Sequence, residues 1–250
     1  MNSFDANDAT LFPARSTEAE MYQSIIEDLK DAVTRLPERD SYKASDIGRA
    51  SKGAALGLLA KAYLFNKDYV NAEATSQQLI SSNKYQLESS YSRIFEPENI
   101  NGKESLFEIN YVNAPGFSNG PLPGVISGAA SVDGGWGWFG LTSDLENAFL
   151  AEGDNVRRKA TILKAGEEVD NELPTRVYPR HLINGKPAHT SFRYYRKYYV
   201  PLSKRVGNPW TFNHIFLRYA DVLLIHAEAS AFNNKAAQAL SSLNLVRVRA

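Results

Sequence analysis

The sequence predicts a mostly α protein, built of tetratricopeptide-type helix pairs that hold a long, irregular, loop-rich insertion containing short strands. Three observations carry this expectation. Apolar residues recur at helical spacing near both ends of the chain, two small-residue helix–turn–helix stretches resemble each other, and the sequence between them is rich in glycine, proline and aromatic residues.

Composition sets the limits. A chain of 250 residues with 43% hydrophobic content can fill the core of one large domain or two small ones. Its 28 basic and 28 acidic residues cancel, so no global field draws it toward nucleic acid or anionic lipid. It has no cysteine, which excludes disulfides, thiolate metal sites and thiol nucleophiles from these residues. No apolar run approaches the roughly 18 residues of a membrane-spanning helix. The opening MNSFDANDATLFPARS lacks the basic and apolar regions of a secretory signal. At the other end KAAQALSSLNLVRVRA stays in helical register to Ala250 without a Gly or Pro stop, so the parent chain is expected to extend beyond both ends.

The first helix is expected over residues 16–36. Tyr22, Ile25, Ile26, Leu29, Ala32, Val33 and Leu36 form one stripe, Thr17 with Glu20 makes a capping box, and Pro37 closes it. A second, near 49–66, is crowded with small residues, among them Gly53, Ala54, Ala55, Gly57, Ala60 and Ala62. Glycine costs a helix about 1 kcal/mol relative to alanine, so Gly53 and Gly57 suggest the close approach of a neighbouring helix. The connection Asn-Lys-Asp then leads into a third helix from Asp68 to about Ser82. LLAKAYLFNKDYVNAEA from Leu58 aligns with LLIHAEASAFNNKAAQA from Leu223, matching Leu58, Leu59, Ala62, Ala72 and Ala74 to Leu223, Leu224, Ala227, Ala237 and Ala239.

Between these pairs the texture changes. Residues 104–112, ESLFEINYV, alternate as a half-buried strand with Phe107, Ile109 and Tyr111 on one side. Residues 113–140 hold half of the 16 glycines together with Pro115, Pro121 and Pro123, and read as a long loop of the kind that carries function or is disordered. Ser143 and Glu146 are expected to cap a short helix, SDLENAFLAE. RYYRKYYVP, from Arg193, reads as a strand with aromatics on both faces.

MYQSIIEDLKDAVTRLP, ASKGAALGLLAKAYLF, GGWGWFGLTSDLENAFLAEGDNVRRKATI, FRYYRKYYVP and IFLRYADVLLIHAEA, in that order, resemble the SusD/RagB family of Bacteroidetes outer-membrane nutrient-binding lipoproteins. The last segment is the most specific, although His226 stands where the family often has an aromatic residue. The resemblance implies a helix-pair scaffold over residues 16–84 and 216–250, with an irregular ligand-binding insertion at 85–215, in a single SusD-like domain. It also implies a lipid anchor outside the outer membrane, and capture of glycans or related nutrients, without chemical change, as a lid over a SusC-like, TonB-dependent transporter. The family's lipobox cysteine and the segment beyond VRVRA are not among these residues, so lipidation is an expectation for the parent protein.

Catalytic patterns are sparse. His226 has Val222 four residues before it and Ser230 four after, so it has no helical partner for a metal pair. Arg218 and Asp221 are spaced for an intrahelical ion pair, and Ala220, Ala227 and Ala231 for close helix packing. The four histidines, His181, His189, His214 and His226, lack ligand spacing, and neither G-x-S-x-G nor H-E-x-x-H occurs. The glycines of GGWGWFG lack the Lys-Ser/Thr ending of a phosphate loop. No cofactor is called for. Arg157, Arg158 and Lys159 read as a solvated charge run. RYYRKYYVP interleaves basic and aromatic residues, but neutrality and strand alternation argue against a nucleic-acid platform.

Trp136, Trp138 and Trp210 all lie outside the helical repeats. A flat ring beside polar groups suits the apolar face of a pyranose, so these three are the candidate ligand contacts; alternatively, Trp136 and Trp138 pin the glycine-rich loop to the core. The expected function is nutrient capture by a cell-surface binding protein. The competing readings are an intracellular tetratricopeptide-type scaffold for peptides and a glycoside hydrolase, whose carboxylates would have to be brought together in space.

Overall fold

The structure, a computed structural model, describes residues 14–111, 140–164, 167, 182–183, 186–187, 193–200 and 213–249. Its helices are α1 (Glu18–Arg35), α2 (Lys52–Phe65), α3 (Tyr69–Ser81), α4 (Ser143–Ala151), α5 (Asn155–Thr161), α6 (Tyr219–Phe232) and α7 (Ala236–Arg249). Short strands lie between them: β1 (Ser105–Ile109), β2 (Ile162–Lys164), β3 (Leu182–Ile183), β4 (Lys186–Pro187), β5 (Arg193–Tyr195) and β6 (His214–Arg218). They form three antiparallel pairs, β1 with β6, β2 with β5 and β3 with β4. The mostly α architecture expected from the sequence is what forms.

Helix α1 starts at the expected capping box: the Thr17 hydroxyl accepts from Glu20 N–H, and the Glu20 carboxylate accepts from Thr17 N–H at 2.8 Å. Ile26, Leu29 and Val33 turn inward, whereas Ile25 is exposed. Helices α2 and α6 bury residues on every side, which places them at the centre. One core cluster joins Ile26, Leu59, Tyr63, Ala72 and Ala229; another joins Leu56, Leu79, Tyr85, Leu106, Leu217 and Val222.

Two glycines on α2 mark close approaches, tightest from outside the helices, although Val222 of α6 also comes within 3.5 Å of the Gly57 position. The space beside Gly53 is filled by the Tyr85 ring, and a methyl group on Gly57 would lie 2.6 Å from Leu106 Cδ2 and 2.7 Å from Leu217 Cδ2. What presses on α2 is the β1–β6 ribbon and the segment leading to it.

Three helix pairs close with the same turn. Lys67, Gly153 and Asn234 are left-handed, at φ 59°, 69° and 59°. In each turn the following N–H reaches back five residues: Asp68 to Tyr63 O (2.9 Å), Asp154 to Phe149 O (2.9 Å) and Lys235 to Ser230 O (2.8 Å). The left-handed residue itself bonds three residues back, which completes a Schellman motif. Asp68 and Asp154 then cap the next helix through their carboxylates. These turns fix the repeat register two residues away from the alignment of Leu58 with Leu223: Lys67 answers Asn234, so Ala60, Ala62, Phe65 and Asn66 answer Ala227, Ala229, Phe232 and Asn233. His226 thereby takes the core position of Leu59.

Other expectations are corrected. The buried residues of β1 are Ser105, Leu106 and Glu108 while Ile109 is exposed, because Leu106 packs against Leu217 and Val222. RYYRKYYVP is a strand only over Arg193–Tyr195, after which Arg196–Tyr198 makes a 3-10 turn. Thr142, not Ser143, caps α4, and Glu146 is buried. In the charge run Arg158 is buried and paired with Glu167 at 2.5 Å. The expected Arg218–Asp221 ion pair forms at 3.7 Å, but Arg218 belongs to β6 and precedes α6; its N–H also donates to Asp221 Oδ2 at 2.9 Å, so the contact caps the helix start. Ala231 is exposed, and Ala229 and Ser230 make the close packing instead. Among the described residues no helix is long and apolar enough to cross a membrane.

Candidate ligand-binding cleft

A cavity of about 230 Å³ opens where three segments meet: the turns Ser92–Phe95 and Pro97–Asn99, the end of the β1–β6 ribbon, and the Tyr195–Lys197 bend. Phe95 and Tyr195 give it aromatic walls, Glu108 and Asn213 a polar floor, and Lys197 and Arg218 its cations.

The floor is built by strand pairing. Ile109 faces His214 and Glu108 faces Ile215, with irregular register between Ser105 and Glu108, so Asn213 arrives beside the end of β1. Its amide donates to Glu108 Oε2 at 2.8 Å and also to Asn110 Oδ1, and its carbonyl oxygen accepts from Tyr111 N–H at 3.1 Å. Asn110 donates in turn to Gly48 O at 3.1 Å. Glu108 is only 3% exposed. Asn213 thus spends its own hydrogen-bonding capacity on positioning, and the carboxylate is left as the acceptor at the bottom.

The aromatic wall is held by a buried charge cluster. In the β2–β5 ladder Ile162 faces Tyr195 and Lys164 faces Arg193. From α4, Glu146 accepts from Lys164 Nζ at 2.8 Å and Arg193 Nε at 2.5 Å. Burial pushes the Glu146 carboxyl up, but the hydrogen bonds from Lys164 and Arg193 outweigh it and hold the group below the usual carboxylate range. On the opposite wall Tyr91 packs edge-on to Phe95, with centroids 5.5 Å apart, and Lys197 Nζ lies 4.8 Å from the Phe95 ring centre.

A second cavity, of about 460 Å³, lies beneath the α1–α2 connection and shares Glu108. Arg39 there donates to Gly102 O at 2.9 Å and Ser105 O at 3.2 Å, so its charge is committed to backbone carbonyls.

Trp136, Trp138 and Trp210 lie outside the described residues, as do His181 and His189. His226 is buried within α6, its Nδ1 2.8 Å from Ser242 Oγ, and His214 lies on β6. Among the described residues no three His, Cys, Asp or Glu side chains are grouped to hold a metal ion. Sequence reasoning missed Glu108 and Asn213. The one available signal was a glutamate in phase with Leu106 on a strand.

A family model described as "SusD family" matches residues 93–250, and so takes in every residue of the cleft. The chain belongs to the SusD family. A second family model, described as "Starch-binding associating with outer membrane", matches residues 2–64. Among SusD relatives, SusD-like protein P2 of Formosa agariphila is 29% identical over 99% of this chain and 50% of its own length. A SusD-like protein of Bacteroides ovatus is 27% identical over 93% of this chain and 45% of its own. This chain therefore spans about half the length of the curated relatives it matches. Among solved structures, surface glycan-binding protein A from Bacteroides uniformis superposes with a TM-score of 0.71 at 26% identity, over 94% of this chain and 50% of that one. A laminarin binding SusD-like protein superposes with a TM-score of 0.73 at 23% identity, over 94% and 54%. Surface glycan-binding protein A from Bacteroides thetaiotaomicron, in complex with laminarihexaose, gives a TM-score of 0.71 at 23% identity, over 94% and 54%.

Proposed function

We propose that this chain is the ligand-capturing part of a surface-exposed, lipid-anchored SusD protein. It binds an oligosaccharide without changing it and passes the ligand to a SusC-like, TonB-dependent transporter. The observation that carries this reading is the cleft itself, two aromatic rings beside a buried carboxylate, lying wholly within the SusD match at 93–250. A pyranose stacks its apolar C–H face on a ring while its hydroxyls donate to a fixed acceptor. The solved relatives whose names include glycan or laminarin binding support the same ligand class.

In this reading residues 85–215 make most of the ligand surface, and residues 16–84 and 216–250 are the frame, from which Arg218 and Asp221 reach the cleft. Trp136, Trp138 and Trp210 add stacking surfaces. What supports their part is the anchoring of the flanking chain: Tyr111 N–H bonds Asn213, and Leu141 N–H bonds Arg193 O at 2.8 Å. Asn213 lines the cleft, and Arg193 lies on the same strand as Tyr195, which does.

Isothermal titration of the full-length mature protein against a glycan panel tests the proposal. Binding of at least one oligosaccharide, with no release of reducing ends and with co-purification of a transporter barrel, is the expected result. Hydrolysis of the bound glycan would overturn it in favour of a glycosidase, and a protein that binds peptides but no glycan would overturn it in favour of a peptide scaffold.

A further inference from the structure

Five glutamates are buried among the described residues, and four of them have a cation beside them. Glu73 has Lys235 at 2.7 Å, Glu88 has Arg93 at 3.4 Å, Glu104 has Arg249 at 2.6 Å and Glu146 has Arg193 at 2.5 Å. Glu108 is the exception. Among the described residues no cation lies within ion-pair distance of it, and the Asn213 amide is its one hydrogen-bond donor. Buried carboxylates are ordinarily paired, and an ionised carboxylate offers about four acceptor positions. Glu108 therefore keeps most of its accepting capacity open, on the wall of a cavity.

The cations of that cavity are already committed. Arg218 lies 3.4 Å from Glu104 and 3.7 Å from Asp221, and Lys197 lies over the Phe95 and Tyr91 rings at 4.8 and 5.5 Å. Three carboxylates, Glu96, Glu108 and Asp221, line the cavity against these two cations.

We propose that Glu108 sets the substrate class of the cleft: a neutral saccharide that donates two neighbouring hydroxyls to the carboxylate, with uronic-acid and sulfated glycans excluded. This rests on the glycan-capture reading above. Paired hydroxyl donors match the two oxygens of one carboxylate, as the bidentate arginine fork does elsewhere. An acidic sugar at the same place would put two like charges a few ångströms apart in a partly desolvated site, which costs affinity by at least about tenfold.

The test is calorimetric titration of the full-length protein and its Glu108→Gln variant. The neutral ligands are β-glucan, α-glucan and xylan oligosaccharides; the acidic ones are uronate and sulfated oligosaccharides of equal length. The wild type is expected to bind a neutral ligand and to reject the acidic set. Glu108→Gln is expected to weaken the neutral ligand about tenfold and to narrow the neutral-to-acidic ratio, because its oxygen stays on the Asn213 amide while its NH2 turns a donor, in place of an acceptor, toward the ligand. On the wild type, analogues of the bound glycan lacking one hydroxyl of the engaged pair lose at least about tenfold, a readout that needs no variant to fold. Tighter binding of acidic glycans, or a folded Glu108→Gln variant with both affinities unchanged, would overturn the proposal and leave glycan capture standing. Binding abolished by a chelator would make Glu108 a metal ligand and also overturn it. Failure of every glycan to bind would remove the reading beneath it.

Discussion

At the residue scale, buried carboxylates hold this molecule's separate pieces to one another. Glu104 is 2% exposed and accepts from Arg249 on α7, from Arg218 on β6 and from Glu88 N–H. Glu104→Gln leaves the Arg249 side chain, 7% exposed, without its counter-charge, a change that costs roughly 3 kcal/mol in comparable sites. Urea unfolding at neutral pH should show a loss of that order. His226 makes a pH prediction. Burial pushes its pKa below the ordinary imidazole value, against the opposing pull of Glu73. The unfolded chain then binds more protons than the folded one between the folded value and about 6.5, so stability falls as pH drops through that window. Thermal melts from pH 7.5 to 5 should decline, and His226→Asn should flatten the slope while lowering the whole curve.

At the scale of elements, the recurring unit is a helix pair closed by a left-handed residue, and its cost depends on which residue stands there. Gly153 has φ 69° and nothing within 4 Å of where a methyl group would lie. Gly153→Ala therefore tests backbone strain alone, with an expected loss of about 1 kcal/mol. At the matching position Lys67→Gly should gain about 0.5–1 kcal/mol, and chemical unfolding of the two variants should show opposite signs. Gly57 obeys a different rule. Alanine there improves helix propensity by about 1 kcal/mol, yet its methyl group collides with Leu106 and with Leu217, which is 1% exposed and cannot retreat. The net effect expected is a loss of about 1–3 kcal/mol.

Across the whole molecule, a helical frame presents one end of a two-stranded ribbon, and the cleft forms where that end meets the bend held by Glu146. Ligand bound to the folded state alone stabilises it by about 2.7 kcal/mol at a hundredfold excess over Kd. For a chain of this size that is a rise in Tm of roughly 5–10 °C. Differential scanning fluorimetry with the best neutral glycan should show this rise, and a flat response across the panel would count against glycan capture.

Helical spacing, the Thr17 capping box and the small-residue repeat were enough to locate α1 to α3 and the α6–α7 pair, because these depend on contacts within a few residues of one another. Five segments in order, IFLRYADVLLIHAEA the most specific, pointed to the SusD family. The repeat register was two residues out, since alanine and leucine match anywhere and only the left-handed turns fix the offset. What tertiary structure alone decided is the cleft. Glu108 and Asn213 are 105 residues apart and meet through a ribbon with irregular register. Whether a glutamate on a strand faces solvent or becomes a buried acceptor depends on partners that the local pattern does not contain. By itself the sequence determined the frame and the family; long-range pairing determined which buried glutamate was left without a cation among the described residues, because a charge's partner is set by position in space.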